Sequence, residues 1–348
     1  MNMSVESLEV SLSNLSDFVE ANMYIPSLLS TFLNVFHLIV LLQKSIIPSA
    51  VTSLLIAIAV VDIFSPIFYI KMGLRAQIFN GVCVPSRGYS ETLFNWILLA
   101  LRDDFRRCST WFGLDLAVIR MFAIKLAMKK YFKFIIEAPF GLKVILGTSA
   151  ISTSVSIFYL FRYQIVPDDS WRPVIGCPEF VVQYIVDEID GSGNAREVHL
   201  LVTAIFEKII PSFLFPIVAA VLIYELRKAS KISQVINQSG TSTVLKINEK
   251  TNKLVVYMTI TFIIIEFPIG ICKLITATHD SYEESILTES IAKLLNMIYV
   301  PVTATHCIIC FTMSSQYRNT VKRLLNPEKK KATVKKNSVR AATLTGVI

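Results

Sequence analysis

Five ionisable side chains stand together in an otherwise apolar stretch running from 92 to 127: Arg102, Asp103, Asp104, Arg106 and Arg107. Guanidinium groups bind carboxylates through short, charge-assisted hydrogen bonds, so such a set can grip a charged ligand or pair with itself. Residues four apart share one face of a helix, which puts Arg102 with Arg106, and Asp103 with Arg107 as a natural internal ion pair. Glu266, and Lys208 with Glu207 beside it, are further charges in apolar surroundings. The expected ligand contacts are Arg102, Asp103, Arg106, Arg107, Lys208 and Glu266. A peptide C-terminus or an acidic small molecule would meet the arginines, and a basic side chain of a peptide would meet Glu266. A third polar set is Asn34, Asp62 and His306. Cys307 and Cys310 have the spacing of a metal-binding pair but fall on an apolar helix, so packing is their expected role and neither metal nor cofactor is expected.

The elements that must position these groups are helices in a membrane. Only 17% of the 348 residues are charged, below the roughly 25% of soluble domains. The mean hydropathy is +0.56. Apolar runs recur at 25–43, 48–70, 92–127, 139–161, 200–224, 254–278 and 291–313. Each has roughly 19 residues or more, enough to cross ~30 Å of hydrocarbon as a helix. Membrane-spanning strands would alternate over about ten residues, and these runs do not. The expected fold is an all-α, seven-transmembrane helix bundle with its termini on opposite sides. Placing ionised groups at that depth costs several kcal/mol each unless they pair or reach water.

Charge in the loops orients the bundle. Neither Lys nor Arg precedes Lys44, whereas Lys125, Lys129, Lys130 and Lys133, then Arg227, Lys228 and Lys231, then Arg318, Lys322 and Arg323 follow the third, fifth and seventh runs. The segments 163–199 and 279–289 are acidic by comparison. The positive-inside rule then predicts an outer N-terminus and a cytosolic C-terminus for a multi-pass plasma-membrane protein. The net charge of +8 flanks helix ends, which suits anionic lipid and argues against nucleic acid. The first residues lack a basic n-region, so the first helix is expected to act as signal anchor. Asn2 and Asn14 begin glycosylation sequons on the outer side, while that at Asn237 would be cytosolic and unmodified. Cys83 and Cys177 fall in the first and second outer loops, where an oxidising compartment permits a bridge. Residues 1–23 read as a disordered outer tail, 24–325 as the seven-transmembrane domain, and 326–348 as a disordered basic tail. The stretch from Tyr317 to Leu325 is amphipathic and is expected to lie along the cytosolic membrane surface after the seventh helix.

Depth can be counted from the helical rise of 1.5 Å per residue. Arg106 lies ~21 Å and Arg102 ~27 Å above Arg120, so the cluster sits in the outer half. Glu266 lies ~20 Å from Lys253, matching Arg106, and is expected to face the third helix and pair with Arg106 or Arg107. Lys208 is expected near the outer boundary. Asn34 lies ~15 Å in from Lys44, with Asp62 and His306 at similar depth, where the three can share a water or ion network. Purely structural roles stand beside these readings: interhelical glue for Asn34, an internal ion-pair network for the cluster, and simple kinks at Pro216 and Pro268.

Together these residues resemble a rhodopsin-like G-protein-coupled receptor over roughly 24–325. Asn34, Asp62, Ile119-Arg120, Pro216 with Tyr224, and Phe262 with Pro268 match that family's order and spacing. Arg106-Arg-Cys-Ser-Thr-Trp-Phe-Gly113, Glu266-Phe-Pro268-Ile-Gly270 and above all Met313-Ser-Ser-Gln-Tyr-Arg318 are similar to the nematode serpentine chemoreceptors of class W, themselves similar to FMRFamide-type peptide receptors. The resemblance implies an extracellular peptide or small-molecule ligand, a heterotrimeric G protein as partner, and activation through Asn34, Asp62, Arg120, Pro216, Tyr224, Phe262, Pro268 and His306. There are departures. Ile119 replaces the usual acid before the arginine, Glu266 stands where a tryptophan is usual, and His306-Cys-Ile-Ile-Cys310 stands where an asparagine–proline–tyrosine motif is usual. Cys83 also lies about a dozen residues before the usual cysteine position. A transporter using the buried charges as a relay is the alternative, but it would show repeated halves with matching broken helices, which the sequence lacks. Signatures of hydrolases or metalloproteases are absent too, so an enzyme is not expected.

Overall fold

The computed structural model describes residues 2–79, 86–125, 134–171, 182–189, 193–236, 260, 262–278 and 282–326. Cys83, Cys177, most of the loop 227–253 and the basic tail from 327 onward lie outside them.

Helix α1 covers Asn2–Ala21 and α2 covers Tyr24–Leu41. The tail expected to be disordered is therefore helical. Its acidic residues find a cation: Lys293 Nζ lies 3.4 Å from Asp17, 3.0 Å from Glu20 and 3.2 Å from Glu289. Helix α3, Ala50–Phe64, is capped by Ser49, whose hydroxyl accepts from the Thr52 amide at 3.2 Å. Pro66 lacks the amide hydrogen needed to continue that helix, and α4, Ile67–Phe79, resumes beyond it. The apolar run 48–70 is thus one interrupted span that continues to Phe79.

Helix α5, Tyr89–Lys125, has 37 residues and is roughly 55 Å long. Helix α6 covers Ala138–Leu160. A hairpin comes next, β1 Tyr163–Pro167 antiparallel to β2 Tyr184–Glu188, with Tyr163 opposite Glu188 and Pro167 opposite Tyr184. Helix α7, Gly193–Val202, runs through a π-helical segment at Thr203–Ile209 into α8, Ile210–Ile236. A second π segment, Phe262–Glu266, leads into α9, Phe267–Thr278. Helix α10, Tyr282–Thr303, contains Pro301 and breaks at Ala304 before α11, Thr305–Met313. The expected amphipathic element is α12, Ser315–Leu325.

Helix α3 packs against α2, α5 and α6, α5 also meets α8, and α9 meets both α10 and the first π segment. The shared core includes Leu54, Ile58, Phe112 and Leu116. Phe32, Leu146, Phe213 and Ile217 point outward and stay exposed. A surface this apolar is suited to lipid. Five helical stretches among the described residues are long and apolar enough to cross a membrane: Tyr24–Leu41, Ala50–Phe79, Ala138–Phe158, Glu197–Glu225 and Leu287–Thr312. Helix α5 has the length but carries the charge cluster.

Close helix approach depends on Gly141. A Cβ there would lie 2.7 Å from Ala50 Cα and 2.9 Å from its carbonyl oxygen. Gly141→Ala is expected to cost about 1–3 kcal/mol through overpacking. Gly147→Ala, with open space around its Cβ, should leave stability unchanged or slightly raised. Melting temperatures of the two purified proteins in one detergent check the contrast.

Candidate ligand-binding site

Lys208 is the centre of the buried charge. Its Nζ lies 2.9 Å from Glu207 Oε1 and 2.5 Å from Glu266 Oε2, and each of the three side chains is at most 4% exposed. These are ionic contacts, without the alignment of hydrogen bonds. On the far side, Lys273 Nζ approaches Glu207 Oε2 to 3.8 Å. Glu207 and Lys208 belong to the first π segment and Glu266 ends the second. A π turn carries an extra residue and rotates the helix beyond it, which is how neighbouring side chains on each helix reach one interior point. Gly270 permits the approach of α9: a Cβ there would stand 2.7 Å from Lys208 Cβ.

This arrangement corrects three expectations. Lys208 is buried inside the bundle and is not at its boundary. Glu266 pairs with Lys208, and is only in electrostatic reach of Arg106. Arg106 instead places its guanidinium over the Tyr299 ring at 4.4 Å. The reason is hydration: a compact ammonium needs oxygen ligands, whereas the weakly hydrated, planar guanidinium is at ease on an aromatic face. The third correction concerns Asp103. Its partner is Arg102, at 2.8 Å, and not Arg107. Arg102 also donates to Tyr69 Oη at 3.1 Å and lies over the Phe68 ring. Arg107 turns toward α6 and donates to Ser156 Oγ at 3.3 Å. Asp104 accepts from Ser152 at 2.5 Å and Thr153 at 3.1 Å.

A cavity of about 220 Å³ opens beside this network. Its charged lining comprises Asp103, Arg107, Arg162, Glu207 and Lys273. A second cavity of about 340 Å³ lies against the hairpin, where Phe68, Trp96, Leu99 and Tyr184 make it largely apolar. Tyr163 lines both. Among the described residues no group of His, Cys, Asp and Glu is placed to hold a metal ion. Two adjoining cavities, one charged and one aromatic, suit the reversible binding of a small molecule better than bond-making chemistry.

Residues 21–327 match the family described as serpentine type 7TM GPCR chemoreceptor Srw. The chain belongs to that family. It is therefore a multi-pass membrane receptor, and its family is one of chemoreceptors and not of enzymes. No curated protein matches the chain.

In this Srw receptor the remaining expected residues do not line the two cavities. Asn34 Nδ2 donates to Ser30 Oγ at 3.3 Å, and Ser30 shares a 2.9 Å hydrogen bond with Thr303. Asp62 is buried beside Ser109. His306 lies in electrostatic reach of Arg120. Asn34 turns to a hydroxyl on its own helix, while Asp62 and His306 turn to Ser109 and Arg120 on α5. Pro216 sits within α8 and Tyr224 is exposed on it. Phe262 opens the second π segment and Pro268 lies just beyond it. Asn2 and Asn14 both fall on α1, where Asn14 is exposed.

Several site residues escaped the sequence. Lys273 comes seven residues after Glu266, two helical turns, which was a readable signal of a shared face. Tyr299, Tyr69 and Arg162 carried none. Asp115, which accepts from Thr148 Oγ1 at 2.9 Å, is a mid-helix acid that the charge cluster overshadowed.

Removing one partner of a buried pair leaves an uncompensated charge, at a cost of about 3–5 kcal/mol. Lys208→Met should lower the melting temperature of the purified receptor sharply. Adding Glu266→Leu should recover most of that loss, and a double-mutant cycle by thermal melting measures the coupling.

Proposed function

We propose that the protein is a G-protein-coupled receptor of the plasma membrane, with its N-terminus outside and its C-terminus in the cytosol. An extracellular chemosensory small molecule or short peptide enters past the hairpin and acts in the charged cavity. The observation that carries this reading is the position of Glu207. It lines the cavity and also holds Lys208, which in turn holds Glu266 two residues before Pro268. A ligand that redistributes charge around Glu207 and Lys273 therefore acts on the tie between the fifth and sixth helices.

Ligand-driven switching needs two states with different affinity for the ligand. In the resting state Lys208 draws the second π segment toward the first. A ligand that competes for Glu207 or Lys273 loosens that grip, and α9 pivots at Pro268. The opposite end of the sixth helix then moves, and the surface around Arg120 opens to a heterotrimeric G protein. The basic ends of the third, fifth and seventh helices favour this orientation in an anionic inner leaflet. In this proposal Asn34, Asp62, His306 and Tyr224 relay the change toward that surface.

Glu266→Gln weakens the tie while keeping its shape. It is expected to raise ligand-independent signalling several-fold in transfected cells, within the 5- to 150-fold that allosteric couplings of ~1–3 kcal/mol provide. Arg120→Ala is expected to abolish guanine-nucleotide exchange at unchanged surface expression. Wild-type exchange and wild-type basal signalling in both variants would remove the tie and the arginine from the mechanism.

A further inference from the structure

We propose that the charged cavity is built for a small ligand bearing one carboxylate, and that Arg107 is the residue that holds it. The inference rests on the receptor reading above and deepens it.

The charges lining the cavity are unevenly matched. Arg162 is paired with Glu188 at 2.8 Å, Lys273 approaches Glu207 at 3.8 Å, and Asp103 is taken by Arg102 at 2.8 Å. Arg107 has no carboxylate within ion-pair distance among the described residues. It is 3% exposed, its Nη2 donates to the neutral Ser156 hydroxyl, and its Nε and Nη1 have no hydrogen-bond partner. Arg107 lines the cavity, and a buried guanidinium with two unpartnered nitrogens is costly. An anion placed there gains charge-assisted hydrogen bonds and cancels the surplus cation. A cation gains neither, since both carboxylates in the lining are already engaged.

Volume and lining limit what carries the anion. About 220 Å³ corresponds to the liquid volume of roughly seven waters, below the ~300–1,000 Å³ of sites for drug-sized ligands. Ala100 and Leu200 give part of the wall an apolar character. The group that fits is a carboxylate on a short carbon skeleton. A free organic acid and the C-terminal carboxylate of a short peptide share that chemistry.

The test uses the full-length receptor in lipid nanodiscs, with thermal melting as the readout. The probes are straight-chain and branched monocarboxylic acids of two to eight carbons, short peptides with free C-termini, and the amide of every compound. The expected result is stabilisation by at least one acid and none by its amide. Arg107→Gln should weaken that effect at least tenfold, and Arg107→Lys less. Lys143→Gln, which removes an exposed charge elsewhere on α6, should leave it intact. Stabilisation by small acids alone or by peptides alone identifies the source, and either supports the proposal. Equal effects of acid and amide, an acid effect that survives Arg107→Gln, or no stabilisation by any acid would overturn it. G-protein activation is measured in parallel. Acids that stabilise without signalling would count against the receptor mechanism and not against the site. Signalling by neutral compounds that ignore Arg107 would do the reverse.

Discussion

The ammonium of Lys208, held between two carboxylates where water does not reach, is the contact on which the surrounding structure depends. Burying charge at that depth is costly, and Lys208 and Glu266 offset each other's cost. The two helices that supply them must therefore stay in one register at this level. The π segments at Thr203–Ile209 and Phe262–Glu266 face this point from both sides, and Gly270 removes the side chain that would hold them apart. A buried ion pair is a poor way to gain stability, because desolvation consumes most of what the attraction returns. In the proposed mechanism the two irregular segments converging on this pair form a device that can take two arrangements.

The cations around it are sorted by chemistry. Lys208 and Lys273 take carboxylate oxygens, while Arg102 and Arg106 lie over Phe68, Tyr69 and Tyr299. A guanidinium spreads its charge over a plane and lies close on a ring face, whereas the more strongly hydrated ammonium of Lys208 stays nearer its carboxylates than the Tyr299 ring at 5.9 Å. The division leaves Glu266 for Lys208 although Arg106 stands at the same depth. It also leaves Arg107, with no ring and no carboxylate in direct contact among the described residues, lining the cavity.

That Arg106 and Glu266 share a level was legible in the sequence, and their partners were not. Counting residues from the basic helix ends put Arg106 and Glu266 at one level, and both are buried in one network. Counting assumes a regular α-helix, however. The π segments alter rotation without altering hydropathy, so nothing in the apolar runs announced that Lys208 would turn inward. The amphipathic element after the seventh run was readable because its charge and its apolar positions separate by face, and α12 matches it closely. The N-terminal tail was misread because its acidic residues look solvated until Lys293, far along the chain, is brought beside them. Hairpin β1–β2 was invisible for a related reason: its strands are short, and their pairing is settled by their partners more than by their own pattern.

The two ends of the molecule are held by different means. At the hairpin end the ties are ionic. At the α12 end they are neutral: His37 Nδ1 and Tyr317 Oη are 2.8 Å apart, Gln316 donates to the Ser45 carbonyl at 2.5 Å, and Ser45 and Thr320 share a 2.7 Å hydrogen bond. A neutral hydrogen bond contributes about 1 kcal/mol net, far less than the cost of separating buried charges. Ile119 precedes Arg120 where an acid is usual in rhodopsin-like receptors, so Arg120 has no neighbouring carboxylate on its own helix to restrain it. The end that would meet a G protein is thus the easier to rearrange. In the proposed switch the restraint acts from the other end, where Lys208 and Glu266 join the fifth and sixth helices. In that proposal the restraint stays beside the charged cavity, where a bound charge reaches it directly.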